Sequence, residues 1–553
     1  MSKLKIIPLG GMGRVTQNMY LYEYENEILI VDCGIGFPDF QMYGVDIILP
    51  DISYLLEQVE QGKQIVGMIL SHGHDDHIAA TGYLIPKLPK FPIYASGLTA
   101  GFAQNRMKDM GVKREIEIVK DGQLINIGNA FSYESLAVTH SVPDTKHLII
   151  NTPEGKIYHG TDFKLDESPV DGVKTNYARM KSAGEEGLLC VLLDCLRVEQ
   201  DSQVPSESTT GPVLREAMQN VKGKILATMM SSHLHRIQQT IDIAVEQNRK
   251  VVFVGRSVEQ NIEIALRLKK LHIPAGTLID KSDLDQYRDE QLCIIIAGSQ
   301  GQEGSSLVRA VYGEHREVSI GRNDKVIFSA GAIPGNEVPY YKSIDELAHN
   351  KVDVAYPDIN PGIHQSGHGS AHEQRKVLEL LKPKYVIPIG GADRHRNLFV
   401  KEVAMRADIK EDRVLLPETG EVIAFENENV SMTEVVKINP QTVDGLGIGD
   451  VGPAVLSDRK ALSESGMVVV VIPRVSKRLR LRNVEIISRG FVFMKEADEV
   501  IHYIKSRVAD IVDSLGKKAS DAEIKKAIEK RLGRSLYKVI KREPIILAVI
   551  VDC

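Results

Sequence analysis

Cysteine is scarce in this sequence. Cys33, Cys190, Cys195, Cys293 and Cys553 are scattered and odd in number, and no two form a CxxC pair. A disulfide framework is therefore excluded, and the pattern fits a reducing, cytoplasmic setting. Long apolar runs are missing too. The longest, "GMVVVVIP" near 470 and "IILAVIV" near the end, are far too short to span a bilayer and rich enough in Val and Ile to be buried strands. The opening "MSKLKIIPLGGMG" has no charged region followed by a long apolar segment and a cleavage site, so no export signal and no membrane association are expected. A basic excess is absent as well: net charge is −6. That argues weakly against a nucleic-acid binder, but only the local field in a binding groove decides the matter. There is no internal repeat and no low-complexity segment.

What remains is an ordinary globular composition, 43% hydrophobic and 26% charged, over 553 residues. That length suggests about three domains. From Leu4 to about Asp194, short Val/Ile-rich runs recur, each closed by a polar or glycine cluster: "NEILIVDCG", "QIVGMILSHGH", "ESLAVTHS", "KIYHGTD", "GLLCVLLDC". Several end on His or Asp, and sites in layered α/β folds are assembled at strand ends. From about 210 to 350 helix-like and strand-like segments alternate, which predicts a separate parallel sheet. The tail from about 452 reads strand, basic turn, strand, helix, helix, strand, with Ser520 and Glu523 as a capping box.

"SHGHDDH" carries the chemistry. His72 and His74 alternate along an extended loop, and Asp76 and His77 follow where a helix would begin. Imidazole and carboxylate donors without thiolate suit zinc or a similar borderline ion in a catalytic rather than a structural role. The bland alternative is a solvated polar turn. A catalytic ion needs remote ligands too, and His140 and Asp162, at the ends of successive strands, are the candidates. One carboxylate, Asp162, would bridge two ions, as two-metal hydrolysis requires. Asp32 would sit behind a ligand imidazole and orient it through its N–H.

These residues resemble the metallo-β-lactamase hydrolases. "IPLGGMGRVTQNMY", "SHGHDDH", "THSVPDT", "GTDFK", "HRIQQ", "GRSVEQNIEIA", "GSQGQEG", "IPGN", "HQSGHGS", "LKPKYVIPI", "DGLGIGDVG" and "SRGFVF" narrow the resemblance to the β-CASP nucleases and, within them, to the ribonuclease J family, over essentially the whole chain. The resemblance implies an α/β architecture: a metallo-β-lactamase αββα sandwich (1–200 and 351–425), an inserted β-CASP α/β domain (201–350), a linker (426–451) and a small C-terminal α+β assembly domain (452–553). It also implies a 5′→3′ exoribonuclease with endonuclease activity that prefers 5′-monophosphate RNA and works in RNA decay and rRNA and mRNA processing. By the same resemblance His72, His74, His140 and Asp162 would hold a first Zn2+, and Asp76, His77 and the shared Asp162 a second, with Mn2+ or Mg2+ as alternatives. Asp194 and His368 would assist the attacking water or the leaving oxygen. His364, Ser366, Gly367 and Ser329 would line the nucleotide phosphate.

The pattern breaks in one place. The family's last motif reads like "PVHGEYR", its histidine completing the ligand set of the second zinc; here "PIGGADR" puts Gly390 at that position. Three readings stay open: a weak or absent second ion, His395 swinging in as substitute, or a weakly active or non-catalytic subunit beside a homologue. Phosphate contacts are expected from Arg236, Arg256, Arg394 and Arg396. The basic run Arg474 to Arg482 and the tail are expected to serve assembly, as a homodimer, a homotetramer or a hetero-oligomer with a homologue. A small-molecule metallo-hydrolase is a competing function, disfavoured by the size of the inserted region.

Overall fold

The structure, a computed structural model of the chain, describes residues 2–39, 41–445, 447–491, 498–516 and 518–553. Position 446 of "DGLGIGDVG" and positions 492 and 493 of "SRGFVF" lie outside the described residues. One unit comprises the chain up to Phe37 together with Ile48–Gln441; the other comprises Pro38–Ile47 and Thr442–Cys553.

The first unit is built on two sheets. In the eight-stranded sheet the order is Asn429–Val435, Glu421–Glu426, Leu4–Pro8, Tyr20–Tyr24, Glu27–Val31, Gln64–Leu70, Ile93–Ala95, Glu117–Ile118. In the six-stranded sheet it is Tyr385–Ile389, Cys190–Asp194, Gly155–Gly160, Lys146–Thr152, Phe131–Ala137, Leu124–Ile127. Alternating side chains of both sheets interlock between them: Leu4, Tyr22 and Leu29 of one meet Tyr133, Ile150 and Leu192 of the other in a single core. Helices Tyr177–Glu185 and Ala371–Leu381 cover the outer face of the second sheet through Met180, Val377 and Leu378. Helix Gly97–Asp109 flanks the first sheet. This is the αββα arrangement expected from the sequence.

Pairing in both sheets is parallel where it matters for the site. Glu27–Val31 runs parallel to Gln64–Leu70, and Cys190–Asp194 runs parallel to both Gly155–Gly160 and Tyr385–Ile389. Their carboxyl ends therefore open on one edge, and Asp32, His72, Asp162, Asp194 and Gly390 all stand at or just beyond such an end. Ligand sites in α/β sheets form outside carboxyl ends of this kind.

The inserted region forms its own parallel sheet, ordered Lys250–Val254, Leu292–Ile296, Ile225–Thr228, Lys325–Phe328, Asp353–Ala355. Its strands are continuous apolar runs because both faces are buried. Its last strand passes residue 350, where the sequence reading closed this region. The stretch read as a linker from 426 also differs: Asn429–Val435 is an edge strand of the first sheet, paired to Glu421–Glu426. A Val-bracketed polar strand of this kind pairs through its backbone although its side chains stay exposed.

In the second unit Met467–Val475 pairs antiparallel with Glu485–Arg489 and parallel with Ile545–Asp552. Helices Asp498–Leu515 and Asp521–Ile540 pack Ile504, Val508, Ile528 and Leu532 onto Val468, Val470 and Ile472. Ser520 and Glu523 form the expected capping box. No helix among the described residues is long and apolar enough to cross a membrane.

Candidate metal centre

The local fold of "SHGHDDH" follows from backbone pairing. The chain leaves strand Gln64–Leu70, and Asp75–Ile78 makes one helical turn. That turn is held from behind: Cys33 N–H donates to the His77 carbonyl (2.8 Å) and Asn18 N–H to the Asp76 carbonyl (3.0 Å). Gly34 permits the approach, since a Cβ there would lie 1.6 Å from the Asp76 carbonyl oxygen. Any side chain at 34 would push Asp76 and His77 out of place.

Three overlapping clusters result, each with donor atoms within 4.8 Å of one another: His72, His74, His140 and Asp162; Asp76, His77 and Asp162; Asp162, Asp194 and His368. In the first, His74 Nδ1 lies 3.2 Å from His72 Nε2 and 3.1 Å from His140 Nε2. Asp162 Oδ2 lies 3.5 Å from His72 Nε2 and 3.7 Å from His140 Nε2. Four donors about a divalent ion with ~2.1 Å bonds stand ~3.4 Å apart along tetrahedral edges, so the set fits such an ion. In the second cluster the other Asp162 oxygen, Oδ1, is 3.6 Å from His77 Nε2, and Asp76 Oδ2 is 3.7 Å from the same nitrogen. Asp162 thus turns one oxygen to each cluster.

Outer partners fix the rings. His72 Nδ1 is 3.0 Å from Ser71 Oγ, and His140 Nδ1 donates to the Gly367 carbonyl (2.7 Å). Asp32, fully buried, accepts Ser71 N–H and its hydroxyl at 2.8 Å each, and His77 Nδ1–H at 2.7 Å. With Nδ1 committed to a carboxylate, His77 turns Nε2 to Asp76 and Asp162. Burial opposes charge on the ring, but Asp162, Asp32 and Asp76 outweigh it and hold it well above the usual histidine range. An ion bound there would take the place of the Nε2 proton. The Asn18 carboxamide also meets this nitrogen, Nδ2 standing 3.1 Å away.

Burial, together with neighbouring imidazoles, pushes His74 and His140 well below the usual histidine range, so both are neutral donors. Burial opposes ionisation of Asp162, but His77 and His368 outweigh it and hold its carboxyl well below the usual range. Burial opposes charge on His368 as well; Asp194 and Asp162 overcome it and raise it to about 9. His368 Nδ1 is 2.8 Å from Asp194 Oδ2, and its Nε2 is turned inward, 3.9 Å from Asp162 Oδ2.

Other expected residues fall differently. His364 is brought to the cleft beside a buried arginine: Arg236 Nη1 donates to its Nδ1 at 2.7 Å. Ser366 Oγ accepts the His368 N–H at 3.1 Å and so shapes the loop, and Gly367 contributes its carbonyl to His140. The Ser329 hydroxyl is fully buried and donates to the Ile363 carbonyl, which leaves it nothing for a ligand. His395 belongs to none of the clusters: its Nδ1 accepts the Ala392 N–H at 3.2 Å and its Nε2 faces Glu199 at 3.6 Å. Arg236 and Arg396, expected as phosphate contacts, are interior; Arg236 clamps Glu207 with two N–H···O bonds and Arg396 holds Asp393 and the Pro417 carbonyl. Glu207 lies in a polar stretch with no local sign of burial, so its partnership with Arg236 was invisible in sequence. Asn18 lies within "IPLGGMGRVTQNMY", where nothing local signals that its amide meets His77.

At Gly390 the backbone has φ +66°, and a Cβ would meet only Asp194 Oδ1 at 3.6 Å and Asp162 Oδ1 at 3.9 Å. The residue therefore stands beside the second cluster, on its open side.

Comparison with known proteins places these features in a family. The family model for the metallo-beta-lactamase superfamily matches residues 12–160, that for the ribonuclease J beta-CASP domain residues 222–347, and that for the ribonuclease J C-terminal domain residues 454–553. The chain is 34% identical to ribonuclease J 1 of Streptococcus pyogenes, with 99% of this chain and 98% of that protein covered. It is 32% identical to ribonuclease J2 of Bacillus subtilis, with the same coverage of 99% and 98%. Against ribonuclease J of Helicobacter pylori it is 32% identical over 99% of this chain and 79% of that one. A solved structure of a protein of unknown function from Enterococcus faecalis shares the fold, with TM-score 0.53 and 16% identity over 76% of this chain and 100% of that chain.

Proposed function

The chain belongs to the ribonuclease J family of metallo-β-lactamase and β-CASP proteins, and from that membership and the geometry above we propose that it is a metal-dependent ribonuclease. It acts as a 5′→3′ exoribonuclease on 5′-monophosphate RNA, with internal cleavage as well, in RNA decay and in rRNA and mRNA processing. The observation that carries this reading is the meeting of three donor clusters on one carboxylate, Asp162.

His72, His74, His140 and Asp162 would hold a first Zn2+, and Asp76, His77 and Asp162 a second divalent ion. Ions of this kind supply Lewis acidity that makes water nucleophilic near neutral pH and offsets charge on phosphoryl oxygens. The chain's own groups do the rest. Asp194 accepts from His368 Nδ1 and so aims a protonated Nε2 at the centre, where it donates to a phosphoryl or leaving oxygen. Because Arg236 occupies His364 Nδ1, the ring proton sits on Nε2 and can donate to a nucleotide phosphate. Water attacks phosphorus, the bond to the 3′ oxygen breaks, and the proton ends on that oxygen, leaving 3′-hydroxyl and 5′-phosphate ends.

Purified protein supplied with zinc or manganese is expected to release mononucleotides from 5′-monophosphorylated RNA, and Asp162→Ala to abolish release. Absence of metal-dependent cleavage, with or without a homologous partner, would remove the enzyme reading. Gly390 favours a second reading, a weakly active subunit of a larger ribonuclease complex. That reading requires cleavage by the chain alone to be weak and to rise sharply when the homologue is added.

A further inference from the structure

Among the described residues every buried or half-buried guanidinium group is held by at least one partner except that of Arg197; Arg396 and Arg507 leave only Nε unpaired and are held through Nη. Arg236 spends all five N–H groups on Glu207, the Ser329 and Gln365 carbonyls and His364. Arg249 donates to the carbonyls of Gly223, Leu292 and Val221. Arg396 holds Asp393 and the Pro417 carbonyl. Arg197 is half-buried, its Nε is sealed from solvent, and that nitrogen has no hydrogen-bond partner among the described residues.

Its position is not peripheral. Arg197 follows Asp194 by three residues and bridges in parallel, backbone to backbone, with Ser370, two residues after His368. It therefore stands between the turn that presents Asp194 and the loop that carries His364 and His368. Its field is felt by Glu373 and His364. Glu373 is already engaged, accepting the N–H groups of Ser370 (2.8 Å) and Leu165 (3.1 Å). Withdrawing a cation from water without a partner is costly, and an anion arriving in the cleft would offset that cost.

We propose that Arg197 is a substrate-binding residue that grips one phosphate of the RNA as the strand passes His364 towards Asp162. The planar guanidinium fork matches two non-bridging oxygens, which an ammonium cannot do. The inference rests on the ribonuclease reading above and adds to it a contact that positions substrate rather than a group that reacts.

The test is binding of a short 5′-monophosphorylated RNA with phosphorothioate linkages to the zinc-loaded chain, by fluorescence anisotropy across a salt series. Arg197→Met is expected to weaken binding about 10- to 100-fold and to reduce the slope of log affinity against log salt by about 0.7, the value for one phosphate contact on a single strand. Arg197→Lys keeps the charge, so the slope should stay while affinity falls several-fold. A Met variant that melts with its parent and binds RNA with unchanged affinity and slope overturns the proposal. Should the Met variant fail to fold, the Lys variant decides: parent-like affinity overturns it. If the unaltered chain binds no RNA at all, the ribonuclease reading falls and this contact with it, a result distinct from a silent substitution.

Discussion

The two clusters that share Asp162 are not equally built. In the first, four donors close a polyhedron, His72 and His140 are each braced from behind, and His74 stands 3.1–3.2 Å from both. In the second, His77 is braced by Asp32 but divides its Nε2 between Asn18 and two carboxylates, and Gly390 brings no side chain to it. Affinity for an ion depends on donor number and on how rigidly each donor is held. The difference teaches that one donor set can be complete while its neighbour, using the same carboxylate, is left loose. It also separates two properties the sequence motif merges: the presence of ligand residues and the closure of the site.

The most drastic way to break the contrast is to remove one donor from each side. His140→Ala takes an imidazole from the closed cluster, and Asp76→Ala takes a carboxylate from the open one. In metal analysis after graded chelator treatment, His140→Ala should lose its tightest ion by more than the about 100-fold that loss of an outer partner causes. Asp76→Ala should leave that ion in place and strip only the looser one. If both variants lose the same ion equally, the clusters do not act as separate positions.

Much of this was legible in the sequence. The αββα architecture was implied by the family resemblance, and the six clustered donors by strand-terminal His and Asp residues, because a carboxyl-end site forces such residues to the ends of buried apolar runs. What escaped has a common cause: it depends on which distant segment faces a side chain. Arg236 looked like a surface cation because nothing near it announces Glu207, 29 positions earlier. Ser329 looked free because its acceptor is the Ile363 carbonyl. His395 is near enough in sequence to be a substitute ligand, yet Asp393–Phe399 turns its ring to Glu199 instead. Asp32 stands 2.7 Å from His77 Nδ1, since a carboxylate at a strand end beside an imidazole loop has few other partners.

A gentler break acts through Asp32. Asp32→Asn keeps the shape but removes the charge that holds His77 Nδ1–H, so the ring loses its orienting partner while every ligand stays. The expected result is a 10- to 100-fold loss of affinity at the looser position, with the tight ion unchanged. Equilibrium dialysis against zinc and manganese reads both positions in one experiment. Loss of the tight ion together with the loose one would show that Asp32 supports the whole turn through Ser71 rather than His77 alone.

The smallest change is the one that sharpens the contrast instead of breaking it. Gly390→His puts an imidazole on the open side of the second cluster. Room exists, since a Cβ there meets nothing nearer than Asp194 Oδ1 at 3.6 Å and Asp162 Oδ1 at 3.9 Å. The backbone is left-handed at this residue, φ +66°, which costs a side chain about 1–2 kcal/mol; histidine is among the residues that adopt it more readily than most. The new ligand must therefore outweigh that strain, so the net gain is modest: about tenfold tighter retention of the second ion against chelator, since ~1.4 kcal/mol of surplus is one decade. The first ion should not respond. If the unaltered chain already retains two ions equally and Gly390→His changes neither, then some other group closes the second cluster. Asn18, whose carboxamide stands 3.1 Å from His77 Nε2, is then the residue to replace next, because a rotated amide would turn its oxygen towards the second cluster.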